Sequence, residues 1–309
     1  MVALGGGHGL AASLQAARRY AGSLTGVVSV GDDGGSSGRL RAELGVAAPG
    51  DVRRCISALA GDNLLSRSLE YRFGEGELSG HPVGNLLLIG LTMASDDFQA
   101  AIDELCRLTG VEGCIHPATA VPVRLLADSD DGLITGQVTI ERVTGIRNLR
   151  FEPADPPVPE GVVSAVAGAD QILIGPGSLF TSVLATAVVP GIRAALSATP
   201  AQRVFVANVA NDRAEARGFG LAEHLDAVAG HGIPIDVVVA DTGAAGRDDA
   251  GSGRVGGAAG PGGEPGPRPE RIGGVPVRWA ELAADDGWGH DPGRLAEVLA
   301  DTWHHRHQR

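Results

Sequence analysis

Three times in this chain a short, mainly aliphatic run stops at glycine and leads into a further glycine-rich turn: Val2–Leu4 into GGGHGL, Leu24–Val30 into GDDGGSSGRLR, and Gln171–Ile174 into GPGSLF. Runs of this kind, without the alternation of a half-exposed strand, belong to strands buried on both faces, which a parallel sheet between two helical layers provides. In such a sheet the turns that follow successive strands gather at one edge, and there they converge on a single crevice. The repetition therefore constrains both the fold and the place where a ligand would lie.

Composition agrees with that reading. Of 309 residues, 43% are hydrophobic but only 4% aromatic, so the core is written in Val, Leu, Ile and Ala, the residues of a close-packed parallel sheet. The length accommodates one large α/β unit with an elaborated edge. A net charge of −12 disfavours nucleic acid as a partner, because phosphate neutralisation needs surplus Lys and Arg. Cys55, Cys106 and Cys114 are odd in number and lack CxxC spacing, which speaks against a disulfide framework or a zinc site. The N-terminus enters a strand at once, with no basic and apolar export signal, and no run of about 18 apolar residues occurs. A cytoplasmic protein without a membrane span is expected.

The strand and helix alternation continues through helices at Ala11–Tyr20, Asp51–Leu59, Asn85–Met93 and Val162–Ala167 and strands at Arg203–Asn208 and Ile235–Ala240. Between Ala120 and Phe151 the period changes: VPVRLLA, a DSDDG turn and LITGQVTI alternate apolar and polar residues and predict an antiparallel hairpin. The expected fold is α/β, a Rossmann-like doubly wound and mostly parallel sheet with an inserted antiparallel hairpin. Residues 1–241 form the ligand-binding domain in this reading, and 242–274, dense in Gly and Pro, form a disordered insertion. Residues 275–309 return as a strand, a helix and a tail packed on the main domain. The His304–His307 run reads as part of that solvated tail.

Several residue groups carry chemistry. Gly7, Gly9 and Ala12 satisfy G-x-G-x-x-[GA], and Asp32 and Asp33 follow about 20 to 25 residues later, where a ribose-binding acid belongs. Glycines admit a pyrophosphate close to the backbone, and the first amides of the next helix face it. A plain packing turn is the alternative. In GDDGGSSGRLR, Asp32 and Asp33 fit Mg²⁺ or ribose hydroxyls, Ser36, Ser37 and the glycine amides fit phosphate oxygens, and Arg39 or Arg41 fits their charge. A capped turn with a surface arginine pair is the bland counterpart. The loop Gly175, Pro176, Gly177, Ser178 makes another anion-ready helix start. His81 and Asn85 in HPVGN either contact a ligand or satisfy the backbone, and Asn208, Asn211 and Asp212 either read a polar ligand or bond their own turn. No G-x-S-x-G element accompanies them.

Taken in order, GGGHGL, VGDDGGSSGRLR, PGDVRRCISAL, SGHPVGNLLL, IGPGSLFTSVL and VPGI resemble the YvcK family of gluconeogenesis factors, within the CofD-like superfamily. The resemblance spans about Val2 to Ala240. It implies a cytoplasmic bacterial regulator that binds a UDP-sugar such as UDP-N-acetylglucosamine and serves cell shape and cell-wall synthesis under gluconeogenic growth. A homo-oligomer and cell-wall synthesis regulators are the protein partners it admits. It implies ligand contacts at Gly6, Gly7, His8, Gly9, Asp32, Asp33, Ser36, Ser37, Arg39, His81, Asn85, Gly175, Gly177, Ser178 and Asn208. No cofactor is required, with Mg²⁺ at Asp32 and Asp33 as an option. The CofD branch instead transfers a 2-phospho-L-lactyl group with Mg²⁺. That transferase and an NAD-type dinucleotide binder are the alternatives. His8 stands where many relatives carry Thr, and Asn208–Gly220 lacks the T-Q-x-G-E-T run of many relatives.

Overall fold

The computed structural model describes residues 1–209, 214–243, 268–285, 287 and 289–307. The chain opens with β1 (Val2–Gly5), α1 (Gly7–Ala17), β2 (Thr25–Val28), α2 (Gly35–Leu44) and α3 (Gly50–Leu59). Three helices follow, α4 (Leu64–Ser68), α5 (Val83–Ser95) and α6 (Phe98–Thr109), before β3 (Cys114–Pro117). An excursion then builds β4 (Arg124–Ser129), β5 (Gly132–Thr135), α7 (Gln137–Ile140) and β6 (Arg147–Glu152). The α/β rhythm resumes with α8 (Glu160–Ala167), β7 (Gln171–Ile174), a π-helical segment Leu179–Leu184 running into α9 (Ala185–Ala187), α10 (Pro190–Ala198), β8 (Gln202–Val206), α11 (Leu221–Gly230) and β9 (Val237–Asp241). β10 (Arg271–Ile272), β11 (Val275–Ala280) and α12 (Pro292–His307) complete it.

The main sheet has the order β10-β11-β9-β8-β7-β1-β2-β3, parallel everywhere except the short β10 edge. From β1 the chain winds outward through β2 and β3, then returns to β7 on the other side and winds outward again. The boundary between β1 and β7, where Val2 faces Ile172, is thus the topological switch point. Every residue of β1, β7 and β9 is buried, as a strand covered on both faces requires. Leu10 and Leu14 of α1, fully buried, pack into the same cluster as Leu4, Ile172 and Val238. The described C-terminal segment joins that cluster through Val277, Leu282, Leu295 and Leu299. Gln171 and Gln202 tie α12 down further by donating to the carbonyls of Leu299 and Thr302.

The doubly wound architecture matches expectation, and two local readings need correction. The hairpin between β4 and β5 is present, but its second strand ends at Thr135, and QVTI forms α7 instead of continuing it. Gly136, at φ +94°, turns the chain, and the Asp33 carboxylate accepts hydrogen bonds from the Gln137 and Val138 amides, which starts a helix there. β6 completes a three-stranded antiparallel sheet, β5-β4-β6. The second correction is α2, ten residues of helix inside a stretch whose glycines and serines mask any helical period. Most of the expected insertion, 244–267, lies outside the described residues, as do Asn211 and Asp212. Within its described end, Arg271–Ile272 pairs with β11. Among the described residues no single helix is long and apolar enough to cross a membrane.

Candidate functional site

At the carboxyl edge of the sheet, over the switch point, lies a crevice of about 630 Å³. Its floor is the turn after β1, Gly6, Gly7, His8 and Gly9, which becomes the first turn of α1. Opposite stands Pro176–Ser178, after β7. Asn208 and Val209 leave β8, Asp32 and Gly34 follow β2, and Asp51 and Arg54 come from α3. Gln137, Val138 and Glu141 reach in from α7 and its C-terminal end, and Ala284, Gly289 and His290 from the segment after β11.

The two glycine turns fit against each other. A Cβ on Gly9 would stand 2.2 Å from the Pro176 carbonyl oxygen, so only glycine lets α1 meet that loop. Ser13 Oγ donates to the Gly175 carbonyl at 2.8 Å, and Asn208 clamps Gly177 by accepting from its N–H and donating to its C=O, both at 2.8 Å. The Gly175–Pro176 peptide is cis. Helix α1 starts from Gly6 with no capping side chain and no acid in its first turn. Its first amides lack intrahelical acceptors and carry the positive end of the helix dipole, which suits an anion.

Three aspartates divide the work. Asp33 spends its carboxylate oxygens on α7, as described, and does not line the crevice. Asp32 does line it, with Oδ1 accepting from the Gly34 amide at 2.9 Å. Asp51, absent from the sequence expectation, is buried beside it. Its Oδ1 pairs with Arg54 Nη1 at 2.5 Å, and it accepts from the Gly7 amide. Burial pushes the Asp51 carboxyl above its ordinary range; the Arg54 charge opposes this, Asp32 adds to it, and the Gly7 N–H opposes it. Asp32 and Asp51 both line the crevice, and the Asp32 charge acts on the Asp51 carboxyl. Among the described residues no group of three or more His, Cys, Asp or Glu side chains is set to hold a metal. Mg²⁺ commonly takes only one or two protein carboxylates and fills its shell with ligand phosphates and water.

A second cavity of about 210 Å³ shares Asp32, Gly34 and Arg54 with the crevice and adds Gly35, Ser36, Ser37, Gly50, Arg53, Arg72 and Asn85. Behind it runs a buried hydrogen-bond chain. Arg53 Nε donates to Asn85 Oδ1 at 3.0 Å, Asn85 Nδ2 donates to Ser36 Oγ at 3.0 Å, and Ser36 Oγ meets His81 Nδ1 at 2.8 Å. Arginine only donates, which fixes the Asn85 amide so that its Nδ2 donates to Ser36. Burial, then the Arg39 charge, holds His81 below its usual range, which favours the neutral ring.

The structure thus brings Gly6, Gly7, His8, Gly9, Asp32, Gly177, Ser178 and Asn208 to the crevice. It places Ser36, Ser37 and Asn85 at the smaller cavity. His81 stands behind Ser36; Arg39 donates to the Ser79 carbonyl away from both cavities; Gly175 receives Ser13; and Asp33 caps α7. Arg41 is a brace, donating to the carbonyls of Gly31, Asp32 and Val123. The residues sequence reasoning missed are Asp51, Arg54, Glu141 and His290. Asp51 had a signal, an acid in the first turn after Pro49-Gly50; the others arrive by tertiary folding.

A doubly wound α/β protein with an anion-ready crevice at its switch point is the class that fold and site define. Residues 1–252 match the family described as 2-phospho-L-lactate transferase CofD. The chain belongs to this CofD-like family, in its gluconeogenesis-factor (UPF0052) branch. A relative in Mycobacterium tuberculosis, provisionally named a gluconeogenesis factor, is 42% identical over 315 residues, covering 97% of this chain and 89% of that protein. The protein named gluconeogenesis factor in Halalkalibacterium halodurans is 40% identical over 247 residues, covering 77% and 76%. A crystal structure of a UPF0052 family member from Bacillus halodurans superposes with a TM-score of 0.83 at 31% identity, covering 97% of each chain.

Proposed function

We propose that this protein is a UDP-sugar-binding regulator, with UDP-N-acetylglucosamine as the representative ligand, acting in the cytoplasm on cell shape and cell-wall synthesis under gluconeogenic growth. The observation that carries the ligand class is the pairing of the α1 amino terminus with the Pro176–Ser178 turn across a crevice of about 630 Å³. A diphosphate suits two amide-rich turns, and the volume falls within the range of roughly 300 to 1,000 Å³ for small-molecule sites. Asp32 then faces ribose or sugar hydroxyls, and Gln137 and Glu141 supply polar contacts from α7 and its C-terminal end. The regulatory role rests on the relatives' name and on the ordered motifs that resemble the YvcK family.

Titration calorimetry with UDP-N-acetylglucosamine, UDP-glucose and NAD tests this reading. Heat of binding from a UDP-sugar and none from NAD is the expected result. Tight NAD binding with no response to either UDP-sugar overturns it.

A second reading, Mg²⁺-dependent transfer of a 2-phospho-L-lactyl group, is favoured by the family's description and by the Asp32 and Asp51 carboxylates. Those two residues would hold the ion, which would neutralise negative charge on a bound phosphate. Arg54, paired with Asp51, keeps that carboxylate oriented. Incubation with Mg²⁺, a donor in which lactate is joined to guanosine through two phosphates, and a hydroxyl-bearing deazaflavin acceptor, followed by mass spectrometry, separates the two readings: a phospholactyl-deazaflavin with release of guanosine monophosphate marks a transferase, an intact donor and acceptor a regulator.

A further inference from the structure

We propose that the cavity of about 210 Å³ beside the crevice is a separate site for the phosphoryl group of a small hydroxylated phosphate ester. Three arginines line it, Arg53, Arg54 and Arg72. Arg53 is only 1% exposed and is held in place by an ion pair with Glu70 and by its bond to Asn85, so its position is set before any ligand arrives. Arg54 is balanced by Asp51. Arg72 donates to the Gly80 carbonyl and, among the described residues, has no carboxylate partner, which leaves a positive charge at the cavity mouth. Guanidinium forks match the oxygens of a phosphoryl group in spacing and charge.

Helix α2 begins at the same cavity. Its N-cap, Gly34, has no side chain, no acid stands in its first turn, and the one carboxylate beside it, Asp32, takes the Gly34 amide, which leaves the first-turn amides behind it for a ligand. Ser36 adds selectivity of a different kind. Its oxygen is held in place by Asn85, which donates to it, and by His81, and a serine hydroxyl so fixed suits a ligand hydroxyl. The volume equals about seven waters at their liquid share of roughly 30 Å³ each, room for a phosphoryl group and a few hydroxylated carbons. It lies below the range for a nucleotide-sized ligand. The shared Asp32 and Gly34 wall sets two anionic ligands side by side.

The inference stands on the cavity itself and is independent of what fills the crevice. Its test is a calorimetric titration of the full chain with inorganic phosphate, alone and in the presence of 1 mM UDP-N-acetylglucosamine (about that concentration for saturation at micromolar affinity). A saturable phosphate site is expected to remain when the UDP-sugar is present, weakened about tenfold in Arg72→Gln and lost in Arg72→Glu. Arg72 is exposed, and both variants are expected to melt at the wild-type temperature. No saturable phosphate binding, unchanged binding in Arg72→Glu, or competitive displacement by the UDP-sugar overturns the proposal. Dependence on Arg72, which lines the cavity and not the crevice, assigns the phosphate to the cavity even if the crevice ligand is misassigned.

Discussion

Adjacent residues of one type can hold unrelated positions, and Asp32 and Asp33 show it. Both were legible as acids past the end of a strand; which of them faces the crevice was not, because that depends on α7 arriving from more than a hundred residues away to be capped. Two substitutions separate their roles. Asp33→Ala removes the acceptor for the Gln137 and Val138 amides and is expected to lower stability by about 1 kcal/mol, the usual loss of a helix cap. Asp32→Ala is expected to cost less than half of that in stability while weakening UDP-N-acetylglucosamine at least tenfold. Urea melts and calorimetry on the same two proteins check both; equal affinity losses would contradict the division. Ser36 makes a similar point: a serine read from sequence as a phosphate contact is also part of a buried chain with Asn85 and His81.

At the scale of elements, the contact that makes the crevice is α1 against the turn after β7. The glycines of both turns were visible in the sequence, and their need is now specific: Gly9 is the point of closest approach. Gly9→Ala would force the helix and the Pro176 carbonyl apart, with an expected destabilisation of about 1 to 3 kcal/mol and a fall in ligand affinity. A wild-type urea midpoint in that variant would show the loop moving aside at no cost. Helix α2 and helix α7 escaped sequence reading for a common reason. Each starts on a tertiary or glycine-rich cue, and neither has an apolar stripe long enough to be seen as a 3.6-residue period.

At the scale of the whole molecule, the C-terminal segment crosses back over the edge of the sheet. His290 Nε2 donates to the Ala207 carbonyl at 3.0 Å just past β8, and burial pushes the His290 imidazole down to about 4. The folded protein therefore holds it neutral, whereas the unfolded chain takes up a proton near the ordinary value of about 6.5. The unfolded state binds more protons in that window, so the stabilising contribution is complete above pH 6.5 and declines as pH falls toward 4, by about 3 kcal/mol in all. Denaturant melts between pH 7.5 and 4 are expected to show this decline, and His290→Gln, which has no proton to gain, is expected to flatten it. A wild-type slope in His290→Gln would assign the acid sensitivity to other groups.

The sequence by itself determined the doubly wound sheet and the edge where a site must lie, because buried strands, glycine turns and their repetition are local chemistry. It also determined that Gly6 to Gly9 and Gly177-Ser178 share that edge, since parallel strands leave the same ends together. The tertiary structure alone decided which polar groups face the crevice and which support the fold. Asp51, Glu141 and His290 arrive from three different elements, and Arg53 becomes a cavity wall only because Glu70 and Asn85 hold it. A side chain's hydrogen-bond partners are set by packing between segments distant in sequence, and one chain read in order carries no record of them.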